Sequence, residues 1–575
     1  GNYVITGFDP GTYSVKVEFV GYSPIQIDGI VVGTNTIPLD IEMLEGELIE
    51  EVVVIAYEVP MIEADNTSSG QTLDMGRSRP SRSSSSSWTP RSKKSKKQQS
   101  QQQTIISTET YSKIAENDFH ATQKEPLSTF SIDVDKAAYA NVRRMLNQGQ
   151  KPPKNAVKVE EMINYFDYDY AQPENGAVFS LNTELGACPW NADHHLLHIG
   201  IQGKDLTSEE RVPNNLVFLL DVSGSMGSAN KLPLVKSSLK LLLEKLDDED
   251  QVSMVVYAGA AGVVLHPTKV AKKEKIFNAI DRLESGGSTA GGQGIEMAYE
   301  LAAKHFLPEG NNRVILATDG DFNVGISNTT ELQDLIEAKR ESGIYLTCLG
   351  YGMGNYRDDM LETLAQKGNG NHAYIDSMQE AYLILGKEIM GTLFAIAKDV
   401  KIQIEFNPAH VQEYRLIGYE NRLLETEDFL DDKKDAAELG AGHTVTAIYE
   451  IIPTGLETKR KQKVHNLKYQ QVDLKTVPGL DEELAQLRVR YKPIKETESV
   501  EVVKVITTAP VSAEATSDDF RFSASVVMFG MLLRDSKFKG TTNKSAILKM
   551  AKTAIGDDPD GYRAEFLRLV HGFTL

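Results

Sequence analysis

The chain predicts a multidomain protein of α/β and β architecture whose centre, residues 214–392, is a doubly wound domain built on a mostly parallel sheet. Three observations carry that prediction. Runs at 216–220, 251–257, 313–318, 344–350 and 372–375 are strongly apolar, as strands buried on both faces are. Stretches at 231–246, 272–283, 295–305, 330–340, 360–366 and 378–394 have helical periodicity, so strand and helix alternate as in a parallel sheet covered on both sides. Small polar residues gather just after the apolar runs, where ligands sit in such sheets.

The rest of the 575 residues divides around this centre. Residues 1–65 hold short strands at 3–6, 13–20, 25–30 and 36–43, broken by Asp9-Pro10-Gly11, Gly21, Gly29 and Gly33, which reads as a small antiparallel sandwich. The pattern begins in mid-course at Gly1, so an upstream segment is expected. Residues 66–107 turn to Ser, Arg, Lys and Gln; too little apolar area is available there to offset ordering entropy, and a disordered linker is expected. In 108–213, Asp135 is placed to cap a helix over 137–146, a second helix covers 157–165, and strands follow at 179–185 and 195–202. Residues 393–575 return to period-two alternation, with strands of a second sandwich at 400–406, 414–418, 442–452, 469–473 and 486–491. A polar connection spans 494–517, and helices fill 520–533, 543–554 and 561–570.

Composition excludes several function classes. With 61 basic and 81 acidic residues the formal charge is −20, which disfavours a nucleic-acid partner. The basic cluster between Arg77 and Lys97 leaves the remainder more acidic still. No run of 18 apolar residues is present, so no transmembrane helix is expected. Of the two cysteines, Cys348 lies inside an apolar run and reads as a buried free thiol. His194, His195 and His198 lack partners at zinc spacing and read as surface or edge-strand histidines. Asp557-Asp558-Pro559-Asp560 does not have the spacing of a calcium loop and reads as a capped turn between helices.

One constellation carries chemistry. Asp221, Ser223 and Ser225 alternate in a short loop after the first apolar strand, so their oxygens can converge on one point. Thr289 follows the flexible Gly286-Gly287-Ser288, and Asp319 ends the run at 313–318. Carboxylates and hydroxyls suit a hard divalent cation, Mg²⁺ first, with Mn²⁺ or Ca²⁺ as alternatives. Only two of the five groups are anionic. A partner carboxylate can therefore complete the shell without facing three or four like charges. Thr318, Asp321 and Asn323 lie near enough to support these ligands, but none is an evident general base, and a non-enzymatic role is expected.

Asp221-Val-Ser-Gly-Ser225 with Thr289 and Asp319-Gly320 resembles the metal-ion-dependent adhesion site of von Willebrand factor type A domains. The resemblance implies that Ser223, Ser225 and Thr289 ligate Mg²⁺, that Asp221 and Asp319 act directly or through water, and that a partner Asp or Glu supplies the last ligand. Ser285-Gly-Gly-Ser-Thr-Ala-Gly-Gly and Asp319-Gly-Asp-Phe-Asn-Val-Gly resemble the bacterial YfbK-like branch, over about residues 108–575. Gly11-Thr-Tyr-Ser-Val and Gly21-Tyr22 resemble the carboxypeptidase regulatory-like, transthyretin-type module of bacterial envelope proteins. Together these imply a metal-dependent protein-interaction or adhesion module of the cell envelope, outer membrane-associated, periplasmic or surface-exposed. An envelope scaffold acting through the C-terminal region is the second expectation, and a metallohydrolase the third.

Overall fold

The computed structural model describes residues 11–17, 25–32, 52–54 and 108–574, the last with breaks at 259, 288–290, 321–328, 433, 435, 457–480, 495, 508 and 513–514. The chain forms two compact units, Gly1–Ile106 and Ser107–Leu575. In the first, Gly11–Val17 and Ile25–Val32 pair antiparallel, and Val52–Val54 adds to the second strand in parallel. The sheet is thus mixed where a purely antiparallel module was expected. The strands expected at 3–6 and 36–43, and the linker at 66–107, lie outside the described residues.

In the second unit six strands form one sheet in the spatial order Ala261–Lys269, Gln251–Tyr257, Asn214–Asp221, Asn311–Thr318, Ile344–Tyr351, His372–Ile375. Every pairing is parallel except that of Ala261–Lys269, which folds back antiparallel on Gln251–Tyr257. This edge strand was not expected from sequence, since Gly262 and Pro267 interrupt its alternation and two register shifts bend it. The helix Gly291–Lys304 shows why the alternation was readable. Ile295, Ala298, Tyr299 and Ala302 recur at helical spacing and are all fully buried with Val217, Leu219 and Val255 of the sheet. The helix expected over 378–394 is instead broken into Met378–Tyr382, a π turn at Leu383–Lys387, and Ile389–Leu393. Both cysteines are buried and free.

The flanks of this domain are one β structure. Leu127–Ser131, from before the domain, pairs with Ala395–Phe406, from after it, and His195–Gly203 pairs with Thr444–Pro453. Two five-stranded sheets result, and each draws strands from both sides of the α/β domain. Residues 494–517 also depart from expectation: Val500–Thr507 is a strand, antiparallel to Glu483–Pro493. The strand expected at 469–473 lies outside the described residues. The three closing helices are Asp518–Arg534, Lys544–Lys552 and Tyr562–Gly572, and among the described residues no helix is long and apolar enough to cross a membrane.

Buried charge joins the flanks to the α/β domain. Lys158 Nζ lies 3.0 Å from each of Glu161, Asp358 and Glu362, and Arg422 reaches Asp135 and Glu362 at 3.4 Å. Asp135 therefore does not cap the helix Ala137–Asn147, whose N-cap is Lys136; its Oδ1 accepts the His372 N–H at 2.6 Å instead. His198 corrects another expectation. It sits on a central strand, buried beside Tyr170, and burial pushes its pKa down to about 4. The Asp558 carboxylate accepts the Arg563 and Ala564 N–H groups, as a capped turn requires.

Candidate metal centre

The strand Asn214–Asp221 is buried along its whole length and delivers Asp221 at its carboxyl end with 1% exposure. The chain turns at once. Asp221 Oδ1 accepts the Ser223 N–H at 2.9 Å, and Gly224–Gly227 closes into a single 3₁₀ turn over the fully buried Met226. This anchor leaves Ser223 inside and Ser225 exposed. Gly224 N–H donates to Gly287 O at 3.0 Å and Gly286 N–H to Val222 O at 2.8 Å, which ties the turn to the loop that leads toward residue 289. Thr289 itself, with Asp321 and Asn323, lies outside the described residues.

Asp319 follows the neighbouring strand Asn311–Thr318 and is fully buried. Gly320 then takes φ of +92°, and a Cβ there would stand 2.6 Å from Arg357 N. Only glycine allows both the left-handed turn and the close approach of that loop. Asp221 Oδ2 accepts the Thr318 hydroxyl at 3.2 Å and the Tyr257 hydroxyl at 3.3 Å. Groups from two adjacent strands thus fix the carboxylate that a third one carries.

Ser223 Oγ and Ser225 Oγ are 3.1 Å apart. Neighbouring ligands of an octahedron with bonds of ~2.1 Å lie about 3.0 Å apart, so the two hydroxyls already have the spacing of one edge of a magnesium shell. Burial pushes the Asp221 carboxyl above the usual carboxylate range; Ser223 hydrogen bonds oppose this, and the Asp319 charge adds to it. Two buried carboxylates and paired hydroxyls, with no thiolate or imidazole among them, fit a hard divalent ion. Asp221, Ser223, Ser225 and Asp319 would hold it, and the ion would supply a Lewis-acidic position for an outside oxygen ligand.

Sequence reasoning missed Lys231. Its Nζ lies 2.7 Å from Asp319 Oδ2, and its side chain runs across Gly352, where φ is +76° and a Cβ would collide with the lysine methylenes. A lysine just before an apolar helix reads as a solvated helix start, and nothing local announces that it turns back under the loop. The wall of the site is held in turn by the start of the second unit. Thr108 N–H donates to Gly354 O at 2.9 Å and Thr110 N–H to Tyr356 O at 3.1 Å, next to the residues that pack on Gly320.

The von Willebrand factor type A domain profile matches residues 215–384, a von Willebrand factor profile matches 105–198, and the profile described as "Uncharacterized protein YfbK, C-terminal" matches 391–574. The "Uncharacterized protein YfbK" of Escherichia coli (strain K12) is 42% identical over 470 residues, covering 80% of each chain. The chain belongs to the YfbK family. Its similarity to that YfbK relative therefore reaches well beyond the A domain into the flanking β structure. Outside the YfbK family, human inter-alpha-trypsin inhibitor heavy chain H3 is 30% identical over 167 residues, which are 28% of this chain and 18% of that one. Among solved structures, "von Willebrand factor type A from Catenulispora acidiphila" aligns at a TM-score of 0.39 and 13% identity, covering 68% of this chain and 88% of its own. The A domain places this YfbK-family chain among proteins built for protein interaction or adhesion.

Proposed function

We propose that the protein captures a partner protein by a Mg²⁺-dependent contact, in which the partner's Asp or Glu carboxylate completes the shell begun by Asp221, Ser223, Ser225, Thr289 and Asp319. The observation that carries this reading is the pair of serine hydroxyls at octahedral spacing beside a fixed, buried carboxylate. Charge supports it as well. Lys231 neutralises one of the two aspartates, so a divalent cation leaves the site singly positive and one outside carboxylate makes it neutral. The role is non-enzymatic and belongs to the bacterial cell envelope, as the resemblance of residues 1–65 to an envelope module implies. Binding of an immobilised glutamate-rich peptide, measured by surface plasmon resonance with Mg²⁺ or EDTA, tests the reading. Metal-dependent binding lost in Asp221→Ala and Ser223→Ala is expected, and equal binding in EDTA sinks it.

A second reading centres on assembly through the C-terminal region. It draws on the outer strand Val500–Thr507, where Val502, Val503 and Val505 are exposed. Partners that remain bound to the Asp221→Ala protein would favour this reading over the first.

A further inference from the structure

A cleft of about 170 Å³ opens at the opposite end of the parallel strands from Asp221 and Asp319, where the A domain meets the β structure of its flanks. A water needs roughly 10–15 Å³ of such space, so the cleft has room for a ligand of several heavy atoms. Arg313, near the start of the strand Asn311–Thr318, lines it, as do Gln366, Asn369, Asn371, His443 and Glu438.

Arg313 is the unusual member. It is 3% exposed, its Nη1 donates to Thr347 Oγ1 at 2.8 Å, and its guanidinium lies 5.5 Å from the Tyr345 ring, yet its Nε has no hydrogen-bond acceptor. No carboxylate forms an ion pair with it among the described residues; Glu438 acts on it only from a distance. Burial accordingly pulls the Arg313 pKa down. Arg422, on the same cleft, differs because Asp133, Asp135 and Glu362 already surround it. A buried charge without a partner is costly, and a guanidinium fork matches a carboxylate with two parallel hydrogen bonds.

We propose that the cleft is a binding site for a small carboxylate, held by the Arg313 guanidinium and flanked by the amides of Gln366, Asn369 and Asn371. The site is independent of the metal centre. Asp133 and Glu438 give the wall an acidic character that disfavours a dianion such as phosphate and tolerates an ammonium group borne by the same ligand. The carboxylate can therefore come from a simple carboxylic acid or from an amino acid.

Calorimetric titration of the 575-residue chain with acetate, glycine and phosphate at matched ionic strength tests this. Acetate or glycine should bind saturably and raise the melting temperature, and phosphate should not. Tighter binding of glycine than of acetate identifies an amino acid as the ligand type; the reverse identifies a simple acid. Arg313→Met should weaken carboxylate binding by about tenfold or more, with its circular dichroism unchanged. Asn369 has φ of +46°, so Asn369→Gly removes an amide from the cleft without straining the turn, and should weaken binding even if Arg313→Met does not fold. Absence of carboxylate binding, binding of phosphate alone, or unchanged affinity in both variants overturns the proposal.

Discussion

Lys231 Nζ stands 2.7 Å from Asp319 Oδ2, a lysine cation beside a buried carboxylate of the candidate metal centre. A unit charge ~5 Å away at an effective dielectric constant of ~20 is worth about 3 kcal/mol. Lys231 would therefore oppose a divalent ion in the proposed site and favour an outside anion there. Lys231→Met is expected to bind Mg²⁺ about tenfold or more tightly, and its metal-free form to melt lower than the parent. Titration calorimetry and thermal melts check both; unchanged or weaker Mg²⁺ affinity would show that Lys231 does not set the charge of the site.

Gly320 gives a second prediction. Its φ of +92° and the approach of Arg357 N leave no place for a Cβ. Gly320→Ala should cost about 1–3 kcal/mol and shift Asp319, lowering Mg²⁺ affinity with it. Urea unfolding with and without Mg²⁺ separates the two losses, and a wild-type midpoint in the variant would contradict the packing described.

Lys158 holds three buried carboxylates, of Glu161, Asp358 and Glu362. Its removal in Lys158→Met leaves them facing one another, a change that typically costs about 3–5 kcal/mol. The helix Val159–Asn164 of the flank and Asp358–Lys367 of the A domain meet at this cluster, so the variant should melt in two calorimetric steps. A single transition at the parental temperature would argue against an electrostatic clasp.

His198 supplies a pH prediction. Its folded pKa of about 4 lies below the usual 6.5, so the unfolded chain binds the proton more readily. The stability it contributes is present above pH 6.5 and lost as the pH falls toward 4. His372 and His443, also pushed down to about 4, act in the same direction, while burial raises Glu160 and Glu380 to about 7 and makes them act oppositely. Comparison with His198→Asn isolates one contribution: between pH 6.5 and 4 the variant should lose up to about 3 kcal/mol less stability. Equal losses would mean that His198 is not held neutral.

Much of the fold was legible because burial leaves a local record. Strand 214–221 is apolar at successive positions since both its faces are covered, and Ile295, Ala298, Tyr299 and Ala302 recur at helical spacing since one face meets the sheet. The strands Ala261–Lys269 and Val500–Thr507 leave a weaker record, the first interrupted by Gly and Pro, the second exposed along most of its length.

The sequence by itself determined the alternation of the A domain, the placing of Asp221 and Asp319 at strand ends and of Ser223 and Ser225 in the loop after the first, and the hard-oxygen character of their donor set. Only the tertiary structure decided that the two flanks share their sheets, that Asp135 serves His372 rather than a helix end, and that Lys231 lies against Asp319. The reason is physical. A residue's neighbours in sequence fix which face of an element is apolar, but strand partners and buried ion pairs are set by groups tens to hundreds of residues away. Choosing among them depends on which pairing leaves no charge and no backbone group stranded.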